Sequence, residues 1–214
     1  MQLSEALIDE SEIVRAAAIY NPLASQNDVD NALRDRSAMV RAAAATSCPP
    51  VWLELMLADP YAEVRAGAVQ NPAVTTDQLE SALADDDELV RALAASNPAI
   101  PAELLDKALT DRSPIARICA AGNSSASPSQ LAYAMMSLHP EVCAAAASNP
   151  NISSAQLNAA LSSESWVIRR RAVSNPNLTD EQRNRALHDE RPEVRAQAVE
   201  QLDDDYQAVV DLGR

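Results

Sequence analysis

The side chains that most often perform catalysis or bind metals are few in this chain and widely separated. Its two histidines, His139 and His188, and its three cysteines, Cys48, Cys119 and Cys143, fall at different positions of an internal repeat, and no glycine-rich phosphate loop is present. Acid–base catalysis needs a titratable group beside a partner, and a metal site needs several ligands at fixed spacing. We therefore predict no enzyme activity, no catalytic residue, no cofactor and no metal site. The thiols are expected to be free small apolar or turn residues, and a reactive or metal-binding thiol is the alternative.

Charged residues that could pair with one another recur at a constant spacing of six. The two columns contain Asp9 and Arg15, Asp35 and Arg41, Asp59 and Arg65, Asp85 and Arg91, Asp111 and Arg117, and Asp189 and Arg195. A guanidinium group matches a carboxylate through two parallel hydrogen bonds. Because the columns run the length of the chain, we predict a structural ladder of ion pairs, within a repeat or between neighbouring repeats, and not a ligand site.

Two repeats depart from this pattern of charges. One repeat has lost both members, with Ser137 in place of aspartate and Cys143 in place of arginine. Another keeps Arg169 but has Ser163 in the aspartate position. The association of the two columns is therefore strong but imperfect.

These charges belong to a repeat that organises nearly the whole chain. An apolar residue leads each of eight units, at Val14, Val40, Val64, Val90, Ala116, Val142, Ile168 and Val194, with steps of 26 residues and one of 24. The position four after the lead is alanine in every unit. Lead, plus four and plus five share one helix face, where alanine allows a neighbouring backbone to approach closely. We place the two-residue deletion in a turn and interpret the array as a solenoid.

A second short helix precedes each of these helices. Leucine or methionine stands seven residues before the lead, and in seven units an apolar residue stands a further four before that. Thr75 or Thr76, Ser153 or Ser154, and Thr179 could cap the starts of three such helices. Asn-Pro pairs, for example Asn97-Pro98, follow the helix that carries the Val-Arg pair. Proline ends that helix and the asparagine side chain can bond to the backbone of the turn.

The repeat combines an aspartate, the run Val-Arg-Ala-x-Ala, an Asn-Pro pair and a following leucine, as seen at 85–105 and 59–79. In this combination it resembles the leucine-rich repeat variant family, which is related in architecture to HEAT repeats. The resemblance covers residues 1 to about 202. It implies an all-α, right-handed solenoid of about eight two-helix repeats, of which one helix layer can be 3₁₀. One type in the family carries an N-terminal four-iron four-sulfur cluster. This chain lacks the N-terminal cysteine cluster, so no iron–sulfur cluster is expected.

Function is expected in the columns that vary between repeats. On the Val-Arg helix the positions minus one, plus three and plus six share a face that is mixed apolar and polar. We interpret it as a groove that binds a partner protein or peptide, and the alternative is a face that tucks under the next repeat and seals the core. The candidate partner-binding residues are Tyr20, Met39, Leu89, Leu93, Ile115, Trp166 and Arg171.

The charge of the chain bears on its partners. The net charge is −14, so direct binding to nucleic-acid phosphate is not expected for the molecule as a whole. The segment from Arg169 to Arg195 is slightly basic, and Asp203, Asp204 and Asp205 make the end acidic. The alternative function is therefore an acidic regulator or mimic that acts on nucleic-acid-binding proteins, or a nucleic-acid contact through the Arg169 to Arg195 segment.

Eight contiguous units leave no room for a linker, so we predict one repeat domain over residues 1–202 and a capping helix or tail at 203–214. No apolar run approaches the roughly 20 residues of a membrane span, and no secretory signal is visible. We therefore expect no membrane partner and a cytoplasmic protein. The oligomeric state and the identity of the partner are not predicted.

Overall fold

The computed structural model describes residues 2–201, and its regular secondary structure there is α-helical. The helices are, in chain order, α1 (Leu3–Ala6), α2 (Glu12–Ile19), α3 (Gln26–Ala32), α4 (Ala38–Ala45), α5 (Pro50–Leu57), α6 (Ala62–Val69), α7 (Thr76–Ala82), α8 (Glu88–Ser96), α9 (Ala102–Leu109), α10 (Pro114–Gly122), α11 (Pro128–Ala134), α12 (Pro140–Ser148), α13 (Ser154–Leu161), α14 (Trp166–Val173), α15 (Asp180–Ala186) and α16 (192–201). Even-numbered helices carry the position of the Val-Arg pair, which is Ala-Arg in α10, Val-Cys in α12 and Ile-Arg in α14, and are called Val-Arg helices. Odd-numbered helices are called Leu helices. The predicted capping segment, 203–214, lies outside the described residues.

The chain divides into two compact units, Met1–Ala108 and Leu109–Arg214, each with four Val-Arg helices. In the first unit α2 packs on α4, α4 on α6 and α6 on α8, and in the second α10 packs on α12 and α12 on α14. Within each unit the helix pairs thus stack as an α-solenoid, as the sequence predicted. A single domain over residues 1–202 stays a prediction.

Both layers of the solenoid are α-helical in the described residues, whereas the family resemblance allowed one layer to be 3₁₀. Capping boxes explain why the short Leu helices begin where they do. Thr75, Ser153 and Thr179 each accept a hydrogen bond from the backbone N–H three residues later, and the glutamine at that later position accepts from the cap's own N–H. Two first-turn donors of each helix are satisfied in this way. The structure selects Thr75 over Thr76 and Ser153 over Ser154.

The core is a narrow stack of constant columns. The leucines four residues before the second apolar row are almost fully buried, namely Leu53, Leu79, Leu105, Leu131 and Leu157. The alanines of the plus-four column have no exposed surface from the second repeat onwards, namely Ala44, Ala68, Ala94, Ala120, Ala146, Ala172 and Ala198. A larger side chain there would separate adjacent Val-Arg helices, which explains the constancy of alanine within the chain.

The 24-residue step lies in a turn, as predicted. The turn between α4 and α5 has four residues (46–49), whereas those between α2 and α3 (20–25) and between α6 and α7 (70–75) have six. Pro49 takes the N-cap position of α5 and Pro50 its first helical position. Proline is tolerated there because the first-turn N–H groups have no intrahelical acceptor.

Buried asparagines, among them Asn71, Asn149 and Asn175, link their repeat to the one before it, which sequence reasoning predicted only in part. Asn149 Oδ1 accepts the N–H of Asn151 within its own turn, as expected. Its Nδ2 also donates to the carbonyl oxygens of Ala121 and Asn123, at 2.9 and 2.8 Å, in the preceding repeat. Asn175 makes the same bonds to the repeat that contains Asn149.

Close helix approach in the first unit depends on a glycine. A Cβ atom added to Gly67 in α6 would collide with the carbonyl oxygen of Ala42 in α4. We expect Gly67→Ala to lower the free energy of unfolding by about 1–3 kcal/mol, because the helices must separate to admit the methyl group. Gly122 in α10 is the matched control, since a Cβ atom added there would have no described atom within 4 Å. Gly122→Ala should be neutral or stabilise by up to about 1 kcal/mol. Urea denaturation measures both, and equal effects would contradict this account.

The asparagine bonds can be tested by truncation. Asn149 is 2% exposed, and Asn149→Ala removes the side-chain donor to the carbonyl groups of Ala121 and Asn123, of which that of Asn123 still accepts the N–H of Ala126. We expect a loss of about 2–4 kcal/mol in the free energy of unfolding. Asn21 is the matched control because it is exposed and makes the local bond to the N–H of Leu23. Asn21→Ala should cost about 1 kcal/mol or less. A loss at Asn149 no larger than at Asn21 would show that the bonds between repeats contribute little.

Candidate functional site

Four of the predicted partner-binding residues line one open groove in the first unit. Tyr20, Met39, Leu89 and Leu93 surround a cavity of about 620 Å³ that crosses the Val-Arg helices α2, α4, α6 and α8. Tyr20 is 65% exposed, Leu89 53% and Met39 44%, whereas Leu93 is half-buried. Apolar side chains so exposed favour an open groove over a sealed core edge.

Small residues form the floor of this groove. Ala16, Ala42, Ala66 and Gly67 line it between the larger side chains. Three of these are the alanine that directly follows the Val-Arg pair, a column that sequence reasoning did not assign to the site. This recurring alanine is the sequence signal that could have identified the floor, because small side chains beneath exposed larger ones leave room for a ligand.

The charge of the groove comes from one residue among those that line it. Glu63 is exposed, and the other lining residues are apolar or neutral polar ones such as Thr46 and Gln70.

The other three predicted residues lie in the second unit, and the structure does not gather them into one site. Ile115 is 48% exposed in α10, and Arg171 is exposed in α14. Trp166 is half-buried and packs on the apolar cluster that contains Val173, with the Arg191 guanidinium 5.3 Å from its ring centroid. Packing of that kind gives the indole a role in the core of its unit.

The ion-pair ladder forms between neighbouring repeats. Four steps are Arg15 with Asp35, Arg41 with Asp59, Arg65 with Asp85, and Arg169 with Asp189. In each step Nε and Nη2 donate to the two carboxylate oxygens over 2.7–3.1 Å. Each arginine therefore grips the aspartate of the following repeat through one edge of its guanidinium group.

The remaining nitrogen of each guanidinium group holds a turn in the arginine's own repeat. Nη1 donates to the carbonyl oxygen six residues earlier in the chain, as in Arg15 to Asp9, Arg91 to Asp85, Arg117 to Asp111, and Arg195 to Asp189. The aspartate carboxylates accept the N–H two residues later, as in Asp9 from Ser11 and Asp111 from Ser113. The spacing of six between the columns thus reflects the hydrogen bond from the arginine to the backbone carbonyl of the residue six earlier. The ion pair with a carboxylate joins two neighbouring repeats.

This register changes the meaning of the two irregular repeats. Because an arginine pairs with the following repeat, Cys143 belongs with Ser163, and that step has lost both charges together. Arg169 is not mismatched, since its partner is Asp189. The step that keeps arginine but lacks aspartate is Arg117 with Ser137. Comparison within a repeat, as made from the sequence, assigned the mismatch to the wrong arginine.

Three aspartates of the ladder, Asp35, Asp85 and Asp189, have a lowered pKa. The hydrogen bond from Arg15 holds the pKa of Asp35 below its usual value, and Arg169 does the same for Asp189. Burial would raise the pKa of Asp85, but hydrogen bonds from Arg65 and from the backbone N–H of Asp87 lower it overall. The ladder is therefore charged at neutral pH.

In the part of the chain that the structure describes, the cysteines and the Arg169 to Arg195 segment do not form a cluster of catalytic or metal-binding side chains. Cys48, Cys119 and Cys143 are free, and burial raises the pKa of all three thiols. Within the described residues, no three potential ligands among His, Cys, Asp and Glu come together as a metal site. In the basic segment, Arg169 pairs with Asp189, and Arg183 contacts Asp180.

The lowered pKa values predict acid sensitivity. A carboxylate whose folded pKa lies below its unfolded value, about 3.9 for aspartate, stabilises the fold above that value and loses this contribution as pH falls through the folded pKa. We expect the Tm to fall as pH decreases below about 5, with part of the fall absent in Asp85→Asn, which already has a lower Tm at pH 7. The exposed Glu54→Gln is the control and should follow the wild-type profile. Identical profiles for all three proteins would contradict a role of the Asp85 pair.

Comparison with known proteins agrees with this architecture. No family model and no curated protein matches the chain. Among the described helices none is long and apolar enough to cross a membrane. A solved structure described as a leucine-rich repeat variant with a novel repetitive structural motif aligns with 92% of this chain and 79% of its own, at 26% identity and a TM-score of 0.57. The resemblance that the sequence predicted is therefore confirmed, and the chain has the all-helical repeat fold of a leucine-rich repeat variant.

Proposed function

We propose that this chain is a non-enzymatic interaction scaffold, and that the groove across α2, α4, α6 and α8 binds a segment of a partner protein. The open cavity of about 620 Å³ lined by Tyr20, Met39, Leu89 and Leu93 carries the proposal. Stacked repeats present such extended surfaces, and apolar side chains left exposed on them commonly mark contact sites.

The chemistry of the groove specifies the kind of segment. Apolar side chains of the partner would displace water from Met39 and Leu89, which are about half exposed. The small floor at Ala42 and Gly67 accepts bulky side chains. Glu63 and the net charge of −14 favour a segment that also carries lysine or arginine, both by local pairing and by long-range attraction.

The proposal is tested with peptides selected for binding to the whole chain. Peptides selected by phage display and measured by fluorescence anisotropy should share spaced apolar residues and a basic residue. Leu89→Glu should raise their Kd by about tenfold or more, because it places an unpaired charge against the bound apolar surface. Glu63→Lys should weaken binding and reverse the preference for a basic residue.

A matched control separates the groove from general surface apolarity. Val51 is 82% exposed and does not line the cavity, so Val51→Glu should leave the Kd unchanged. Circular dichroism would establish that each variant is folded. Equal affinity of wild type, Leu89→Glu and Val51→Glu for the selected peptides would rule out the groove as the binding surface.

A further inference from the structure

The step of the ladder at Arg117 is incomplete. Arg117 Nη1 holds the carbonyl oxygen of Asp111, as in every other repeat with this arginine. In the four complete steps the Nε and Nη2 edge contacts the aspartate of the following repeat, and in the repeat that follows Arg117 this position is Ser137. Within residues 2–201 no carboxylate contacts that edge, in contrast to Arg15, Arg65 and Arg169.

A cavity opens at this step. It has a volume of about 420 Å³, and both Arg117 and Ser137 line it. Corresponding cavities in the first unit are lined by an arginine with its own carboxylate, Arg15 with Asp35 in one and Arg65 with Asp85 in the other. The cavity at Arg117 contains the guanidinium group and room for a carboxylate, but the next repeat has Ser137 in place of the aspartate.

The surroundings of the cavity depart from the repeat pattern in one place. Tyr133, Met136 and Leu138 line it and are 54%, 80% and 97% exposed. The position of Leu138, four residues before the lead, is charged in six of the other seven repeats. Single large apolar residues are exposed at two of these three columns in other repeats, Ile8 at 82% and Leu55 at 57%. This repeat, one of the two that lack the aspartate, is the one that combines large apolar residues at all three columns. The combination indicates a local contact surface.

We infer that this cavity binds the carboxylate of an aspartate or glutamate side chain from an exposed segment of a partner protein. The four steps described above show what this guanidinium edge binds, namely two carboxylate oxygens at once. The partner's carboxylate takes the place of the missing aspartate, and its neighbouring apolar side chains contact Tyr133, Met136 and Leu138. The charged lining residues besides Arg117 are Asp111, whose carboxylate accepts the N–H of Ser113, and the titratable His139.

This site is independent of the groove proposed above. It lies in the second unit and takes an acidic segment, whereas the groove lies in the first unit and takes an apolar segment with a basic residue. Variants of one surface leave the other intact, so failure of one proposal is distinguishable from failure of the other.

Two equivalent serines, Ser137 and Ser163, allow a test variant and a matched control. Ser137→Asp places a carboxylate opposite Arg117, so the Tm should rise. Ser163→Asp introduces the same carboxylate one repeat later, where Cys143 replaces the arginine, so the Tm should not rise. Both serines accept the N–H two residues later through Oγ, a bond that aspartate reproduces in other repeats. A Tm of Ser137→Asp no higher than that of Ser163→Asp would overturn the inference.

Binding is measured with two capped tripeptides, one with aspartate between two leucines and one with asparagine in its place. Nuclear magnetic resonance of nitrogen-15 arginine side chains follows the Nε signal that is absent from Arg117→Gln. The aspartate peptide should shift this signal with an affinity about tenfold or more above that of the asparagine peptide.

The same titration on the two serine variants completes the test. Ser137→Asp should abolish the shift, and Ser163→Asp should retain it. Acetate, as a free carboxylate, should bind more weakly than the aspartate peptide, since it lacks the apolar contacts. Equal binding of the two peptides, an undiminished shift in Ser137→Asp, or acetate as strong as the aspartate peptide would each overturn the inference.

Discussion

Hydrogen bonds that cross from one repeat to the next are the constraint on which the structure depends. A helix pair of this length cannot bury its apolar face alone, and its core of alanine, leucine and valine has little shape to set how neighbours align. The asparagine amide and the guanidinium edge supply that alignment. Asn71 reaches the carbonyl groups of Ala45 and Cys48 in the preceding repeat, and Arg65 of the same repeat as Asn71 reaches Asp85 in the following one. One repeat is thereby tied to both of its neighbours by directional bonds.

Much of this architecture could be predicted from the sequence because the columns are regular. Constancy at the plus-four alanine predicted close packing, and that column has no exposed surface from Ala44 onwards. A helix cap bonds to a residue only three positions later in the sequence. The choice of N-cap could therefore be narrowed to two adjacent residues for each helix, Thr75 or Thr76 and Ser153 or Ser154. The deletion could be assigned to a turn because a change of two residues inside a helix would rotate its apolar face.

What could not be predicted depends on contacts between residues distant in sequence. The columns of aspartate and arginine repeat with the same period, so their spacing is equally compatible with pairing in one repeat or across two. Twenty residues separate Arg15 from Asp35, and only the stacking of helices decides that they meet. The groove shows the same limit. Its large side chains could be named from a variable column, but the floor at Ala66 and Gly67 follows from how closely α4 approaches α6.

The register of the ladder also bears on how such a chain can gain or lose repeats. Each ion pair joins the arginine of one repeat to the aspartate of the next. A single repeat therefore contributes its aspartate to one pair and its arginine to another. Excision of the repeat that begins at Ser137 would place Arg117 opposite Ser163, still without a carboxylate. Excision of that repeat together with the next would bring Arg117 against Asp189. Exchange of repeats is therefore governed by the compatibility of their edges, and the order of the repeats is itself part of the information that the chain encodes.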